Sequence, residues 1–338
     1  MPEHGGVDWD RLAGELRRIP GVHATRAAPM GPLSTYRVGG PAAILAVVPD
    51  ADALVALVPA LRAAVLEAGG LEAGGLDVLV VGRGSNLLVA DAGFDGVVLQ
   101  LGDGFAGVEI DVATGTVVAG AGASLPVVAR RTAAAGLTGF EWAVGVPGSI
   151  GGAVRMNAGG HGADLAASLA GIRVVDLGTG QTARVHAADL GLGYRRSSLP
   201  ATSVVVEAEL HLAPGDVARS EATVADIVAW RRANQPGGAN AGSVFTNPEG
   251  DSAGRLVDAA GAKGLRIGTA EVSDKHANFI QATPGGSADD VVRVMQAVVA
   301  RVEEHSGVRL HAETRLAGYP ADVLEALGAT PAAGTIRP

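Results

Sequence analysis

The sequence predicts an α+β fold, and three observations carry that reading. Short apolar runs of strand type recur through the first two thirds of the chain, segments of helical period separate them, and from about Asp216 the texture turns to helices. Trp9 to Ile19 reads as a short leading helix. Ala43 to Val48 is a strand-type run, and Leu54, Leu57, Val58, Leu61 and Val65 mark the helical face of residues 50–68. The tandem LEAGG duplication at Leu66 to Gly75 reads as a surface-loop insertion. Val78 to Val81 is an apolar four that breaks at Gly82-Arg83-Gly84-Ser85-Asn86 and resumes at Leu87 to Val89. Residues 96–120 are strand-rich, a helix is expected around Leu125 to Ala135, and Gly145 to Gly152 reads as a long loop. Strands return at Ile172 to Val175 and Val204 to Leu212.

Beyond residue 216, Val224, Ile227 and Val228 line one face of a helix that Gln235-Pro236-Gly237-Gly238 stops. The clearest period belongs to Val291, Val294, Met295, Val298, Val299 and Val302, with Ser287 as N-cap, Asp290 at the third helical position and Gly307 at the end. Arg309, His311, Glu313 and Arg315 then alternate with Leu310, Ala312, Thr314 and Leu316, which predicts a strand with four ionisable side chains on one face. The last twenty residues, rich in Ala, Gly and Pro, are expected to contribute little order.

Composition narrows the function classes. A chain of 338 residues with 48% hydrophobic letters suffices for one large or two to three ordinary domains, and with 3% aromatics its core must be aliphatic. With 26 Lys+Arg against 35 Asp+Glu, the net charge of −9 argues against a broad cationic footprint for nucleic acid or anionic lipid. The absence of cysteine removes disulfides, thiolate catalysis, Fe–S clusters and Cys-ligated zinc. No apolar run reaches the roughly 18 residues of a membrane span, and the acidic start MPEHGGVDWD is unlike a signal, so a cytoplasmic protein is expected. No histidine pair has the H-E-x-x-H spacing, and His311-Ala312-Glu313 lacks the cysteine pair that a zinc deaminase needs, so no metal is expected.

Two glycine-rich segments carry most of the local chemistry. In Gly82 to Asn86, N–H groups exposed by a glycine turn make a concave anion site to which Ser and Asn add donors. The segment lacks the third glycine of a dinucleotide fingerprint and the Gly-Lys-Ser/Thr of a Walker loop, so hairpin turn and phosphate nest both stay open. In Gly145 to Gly152, followed by Asn157-Ala158-Gly159-Gly160, glycine lets backbone approach a flat ligand while Pro147 stiffens the entrance; by itself it reads equally as a loop between sheets. Together, two donor-rich loops about 60 residues apart favour one extended dinucleotide held between them. Ser243 has no nucleophile elbow around it and stays open as a proton donor or a turn serine. Glu313 alone reads as a solvated charge that Arg309 and Arg315 neutralise.

Eight strings in fixed order add a resemblance. They are TYRVGGPA at 35–42, GRGSNLLV at 82–89, GVPGSIGGA at 145–153, YRRSS at 194–198, GSVFTNP at 242–248, KGLRIG at 263–268, VSDKHANFI at 272–280 and AETRL at 312–316. From about residue 30 to 318 the chain resembles the UDP-N-acetylenolpyruvoylglucosamine reductase (UDP-N-acetylmuramate dehydrogenase) family, flavoenzymes of bacterial peptidoglycan precursor synthesis. The resemblance implies a two-domain FAD-binding fold of the vanillyl-alcohol-oxidase/PCMH type over residues 1–103 and 104–215. A C-terminal α+β substrate-binding domain over 216–320, which closes over substrate, and a tail at 321–338 follow. It implies FAD held noncovalently, NADPH as co-substrate, UDP-N-acetylglucosamine enolpyruvate as substrate and no obligate protein partner. Hydride would pass from flavin N5 to C3 of the enolpyruvyl ether.

By the same resemblance, Ser243 is the proton donor to C2, and Arg195 and Glu313 bind and polarise the enolpyruvyl carboxylate, Glu313 as a protonated acid. Gly82, Arg83, Gly84, Ser85, Asn86 and Leu87 would take the FAD diphosphate. Gly145, Val146, Pro147, Gly148, Ser149, Gly151, Gly152 and Asn157 would take the isoalloxazine and ribityl region. Tyr194, Arg195, Asn247, Lys263, Lys275 and His276 would lie at the substrate. The chain departs from the family in two places. Asn234 stands where many members carry a diphosphate-binding Lys, leaving Arg231 or Arg232 to substitute, and the stretch from Arg195 to Ser243 is too short for the tyrosine-bearing loop of the longer subtype. Another FAD oxidoreductase of this fold would keep both glycine loops without needing Ser243 and Glu313, and a noncatalytic nucleotide-sugar or flavin binder would show no NADPH turnover.

Overall fold

The computed structural model describes residues 6–67 and 75–337, so most of the duplicated LEAGG segment lies outside the described residues. A five-stranded sheet has the order His23–Pro29, Pro41–Val48, Phe94–Leu101, Leu76–Val81, Gly334–Ile336. Its three inner strands run parallel, and antiparallel strands close both edges. In Pro41–Val48 every second residue is buried, as a pleated strand requires. Helix α1 (Trp9–Leu16), capped by Asp8, and helix α2 (Ala51–Glu67) place Leu12, Leu16, Leu54, Leu57 and Leu61 against Ile44, Val78 and Val97. The other face packs Leu79, Val81 and Val98 beneath Leu87, Val89 and Ala317.

A second, antiparallel sheet has the order Thr182–His186, Leu169–Asp176, Ser203–His211, Thr116–Gly120, Val108–Asp111. The strand Ser203–His211 serves two cores: Val204 and Val206 enter the first, while Val205, Ala208 and Leu210 enter the second. Helices α3 (Leu125–Ala134) and α4 (Ile150–Met156) cover this sheet through Leu125, Val128, Ile150 and Val154. The long loop read at 145–152 is therefore shorter than expected. Gly151 and Gly152 belong to α4, because a glycine at 151 lets the helix lie against Ala121, where an added Cβ would sit 3.0 Å from the Ala121 Cβ.

Helix α5 (Val217–Asn234) begins where the texture of the sequence changes, but Val224 and Ile227 pack into the second core. Residue 216 thus marks a change of pattern rather than of packing. Helix α6 (Ala253–Ala259) and helix α7 (Ala288–Ser306) pack with a small antiparallel sheet of Arg266–Ile267, Ala270–Val272 and Ile280–Ala282. In α7, Ser287 accepts from the Asp290 N–H and Gly307 takes the left-handed C-terminal position, as its sequence predicts.

Two expectations for the end of the chain are corrected. The continuous strand face expected at 309–316 does not form: the strand is only Arg315–Ala317, parallel to Leu87–Val89, because residues 311–314 are paired with the loop around Phe245 instead. The last twenty residues are ordered through residue 337, as helix α8 (Ala321–Ala326) and the edge strand Gly334–Ile336, which buries Ile336 and joins the Thr335 hydroxyl to Asp77 at 2.6 Å.

Candidate active site

The two glycine-rich segments meet. At Gly82 an added Cβ would overlap the Ser149 hydroxyl, and at Gly148 it would lie 3.6 Å from the Ser85 hydroxyl. Gly84 has φ +57°, and an added Cβ would collide with the Leu33 carbonyl oxygen, so only glycine fits there. The Gly84 carbonyl accepts from the Thr35 N–H at 3.1 Å, tying the YRVGG segment to the same turn. No protein group among the described residues bonds the hydroxyls of Ser85 and Ser149 or the guanidinium of Arg83. Close backbone and free donors on two facing segments suit an extended dinucleotide. The Leu87 side chain is 5% exposed and packs in the core beneath the turn, so of this residue only the backbone can face a ligand.

Asn86 joins this turn to the acidic residue near the chain's end. Its side-chain amide donates to the Glu313 carbonyl at 3.1 Å, and its carbonyl accepts from the Arg315 N–H at 3.0 Å. The Glu313 N–H in turn donates to the Val244 carbonyl at 2.7 Å, which places Ser243 one residue away. The Arg195 Nε lies 2.9 Å from Glu313 Oε1. That contact is an ion pair without hydrogen-bond alignment, so the Arg195 Nε is a buried donor with no aligned acceptor. The three residues of the predicted catalytic set thus come together from three distant parts of the chain.

Glu313 is not the solvated charge that its neighbours suggested. Its side chain is 14% exposed, and burial pushes its pKa up against the opposing pull of Arg195 and Arg315. Arg315 is itself pushed down by burial and rests its Nε and a terminal nitrogen on the Met156 sulfur, both at 3.2 Å, a weak acceptor for a guanidinium. Arg195 sits in a tight turn closed by paired N–H donations between Gly193 and Arg196, both at 3.1 Å, and has φ +55°. A left-handed conformation at a non-glycine residue costs about 1–3 kcal/mol and persists where its surroundings hold it.

A pocket of about 360 Å³ opens beside Ser243, lined among others by Asn247, Arg255, Asp258, Lys263, Lys275 and His276. Four of the predicted substrate residues therefore share one cavity with the predicted proton donor. Two of its cations are matched by carboxylates: Arg255 pairs with Asp251, and Lys263 with Asp258 at 2.8 Å. Lys275 has no carboxylate partner among the described residues, and its ammonium donates to the Arg232 carbonyl at 2.6 Å. Burial, with Lys263 nearby, pushes the His276 pKa down and favours the neutral imidazole, whose Nδ1 accepts from the Asn278 N–H at 3.2 Å. Tyr194, 57% exposed, brings its hydroxyl within 3.4 Å of the Asn247 N–H.

Other predicted groups are engaged elsewhere. The Asn157 side chain is spent within the protein: it donates to Asp164 at 3.0 Å and to the Gly193 carbonyl at 3.1 Å, and accepts from the Ala166 N–H at 3.0 Å. Asn234 donates back to the Trp230 carbonyl, and Arg231 donates to Gln235 at 2.8 Å. Sequence reasoning missed Asn278, whose buried side chain exchanges two hydrogen bonds with the Phe245 backbone, at 2.9 and 2.8 Å, and so fixes the segment that carries Ser243. An amide between Ala277 and Phe279 in an otherwise apolar run was the available signal.

The chain is similar to known proteins over most of its length. The family model for the C-terminal domain of UDP-N-acetylenolpyruvoylglucosamine reductase matches residues 234–317, and an FAD binding domain model matches residues 53–186. The UDP-N-acetylenolpyruvoylglucosamine reductase of Acidiphilium cryptum is 42% identical over 315 residues, covering 93% of this chain and 96% of the relative. That of Anaeromyxobacter sp. (strain Fw109-5) is 41% identical over 331 residues, covering 96% and 98%. The crystal structure of the reductase from Thermus caldophilus superposes with a TM-score of 0.71 at 33% identity, covering 88% of this chain and 98% of that one.

Proposed function

The chain belongs to the UDP-N-acetylenolpyruvoylglucosamine reductase family, and on that premise we propose how its own residues perform the reaction. It is an NADPH-dependent flavin oxidoreductase with FAD as cofactor, reducing UDP-N-acetylglucosamine enolpyruvate to UDP-N-acetylmuramate in peptidoglycan precursor synthesis. Gly82 to Asn86 would hold the FAD diphosphate and the region from Gly145 to Gly152 would hold the ring system; the close approach of Gly82 to Ser149 supports this assignment. When bound and reduced, the flavin supplies the hydride from N5 to C3 of the enolpyruvyl group.

The observation that carries the reading is the ion pair of Arg195 with a largely covered Glu313, one backbone hydrogen bond from the segment of Ser243. The Arg195 guanidinium, whose terminal nitrogens have no hydrogen-bond partner among the described residues while its Nε faces Glu313, takes the enolpyruvyl carboxylate. As negative charge builds toward C2 and that carboxylate, the guanidinium counters it without rearranging. Glu313 is already biased toward its protonated form by burial, and a second carboxylate alongside raises its pKa further, so it donates a hydrogen bond rather than repelling the substrate. Ser243, half-buried and with no protein partner among the described residues, donates its proton to C2.

The pocket beside Ser243 takes the nucleotide-sugar portion. Lys275, which among the described residues has no carboxylate partner, supplies the diphosphate charge that Asn234 cannot, in preference to Arg231, which is engaged by Gln235. A cytoplasmic location belongs to the same reading, since both NADPH and a UDP-sugar are intracellular metabolites. Among the described residues no helix is long and apolar enough to cross a membrane.

The test is direct. Purified protein should show a flavin spectrum that NADPH bleaches once, and should oxidise NADPH continuously only when the enolpyruvyl nucleotide is added. Flavin without substrate-dependent oxidation would remove the proposed activity.

A further inference from the structure

We propose that Arg155, from the C-terminal turn of α4, is a positioning residue that holds Arg195 in its productive geometry from behind; this rests on the role proposed for Arg195. The Arg155 guanidinium spends its donors on the loop that follows the Arg195 turn: the Leu199 and Pro200 carbonyls at 2.9 Å and the Ser203 carbonyl at 2.5 Å. The Ser197 hydroxyl returns a bond to the Arg155 carbonyl at 2.9 Å. Two residues on, the Asn157 amide holds the Gly193 carbonyl at the other end of the same turn. The left-handed Arg195 therefore sits between two anchors, both from α4 and its C-cap.

The chemistry of Arg155 sets it apart from a surface cation. It has no carboxylate partner among the described residues, and burial, with repulsion from Arg315, brings its pKa down to about 10. Neutral carbonyls satisfy its hydrogen bonds without offsetting its charge, so the group is retained at an electrostatic cost. Three backbone carbonyls at spread angles need the planar fork of a guanidinium, which a lysine cannot reproduce. Because α4 starts at the glycine-rich segment that faces the cofactor, one rigid helix ties that segment to the Arg195 turn.

The experiment compares wild type with Arg155→Met. Infrared titration of the Glu313 carboxyl, assigned with Glu313→Gln, needs no turnover and so fails separately from the proposed function. Arg195 pulls the Glu313 pKa down, so freeing Arg195 should move that titration at least about half a unit toward higher pH. In turnover, reoxidation of reduced flavin by substrate should slow about tenfold, while flavin reduction by NADPH stays within about twofold. In an Arg195→Met background, Arg155→Met should add less than about a twofold loss, because a residue acting through Arg195 has nothing left to position. If Arg155→Met does not fold, Ser197→Ala removes one tie and should give the same direction of titration shift with about a threefold loss. An unmoved Glu313 titration, or penalties that multiply in the double variant, overturns the proposal.

Discussion

The junction of residues 82–86 with 145–152 depends on atoms that are missing, whereas the pocket around Ser243 depends on atoms that are charged. On the first side Gly82 and Gly84 let chain segments pass where a Cβ would collide, and recognition falls to backbone donors. On the second side Lys263 and Lys275 line the pocket, and the pair of Arg195 with Glu313 is tied to the Ser243 segment through the Val244 carbonyl, so the balance is one of charge and burial. A backbone cradle tolerates almost no added volume but is indifferent to pH; a charged pocket tolerates shape changes and responds to every protonation.

That contrast can be broken or sharpened by substitution. The largest effect belongs to Ser243→Ala, which should lower kcat by about a thousandfold while NADPH still bleaches the flavin; stopped-flow absorbance of the two half-reactions separates the steps, and equal loss in both would refute the proton-donor role. Next comes Gly82→Val. Its branched carbon meets Ser149, so FAD affinity should fall by about a hundredfold in a fluorescence titration, with the unfolding transition of the apoprotein little changed. Asn278→Ala strands the Phe245 N–H and carbonyl in the interior and should cost about 2 kcal/mol in urea unfolding. Lys275→Met should raise KM for the enolpyruvyl nucleotide about tenfold, leave kcat within about twofold and weaken the salt dependence of KM. The smallest is a pH effect. A Glu313 pKa raised by burial predicts that activity is held at low pH and falls as pH rises through a value above the ordinary carboxylate range; Glu313→Gln, which keeps the hydrogen-bond donor, should flatten that limb.

Legibility in the sequence followed the same division. Glycine turns leave letters to read, so both glycine segments were visible in the sequence, whereas Ser243, Arg195 and Glu313 were joined into one set only by the family resemblance. Helix α7 was visible because six apolar residues at helical spacing and a Ser cap agree. What stayed hidden was whatever acts through backbone. Arg155 binds carbonyls of residues 199, 200 and 203, and carbonyls have no letter of their own. The helix at Ile150–Met156 was masked because its glycines, usual breakers, here permit contact with Ala121. Glu313 read as solvated because Arg309 and Arg315 flank it, yet its pairing is with Arg195, far away in sequence. The Ala-, Gly- and Pro-rich end read as unordered because one buried Ile336 and one edge ladder are too small a signal to show through that composition.

The edge strand Gly334–Ile336 also sets an order of events during synthesis. The Thr335 hydroxyl finds Asp77 across 258 positions of chain, so the first sheet stays one strand short until nearly all of these residues have left the ribosome. Until then the polar rim of Leu76–Val81 is open to any passing extended segment, a hazard that ends with the arrival of three late residues.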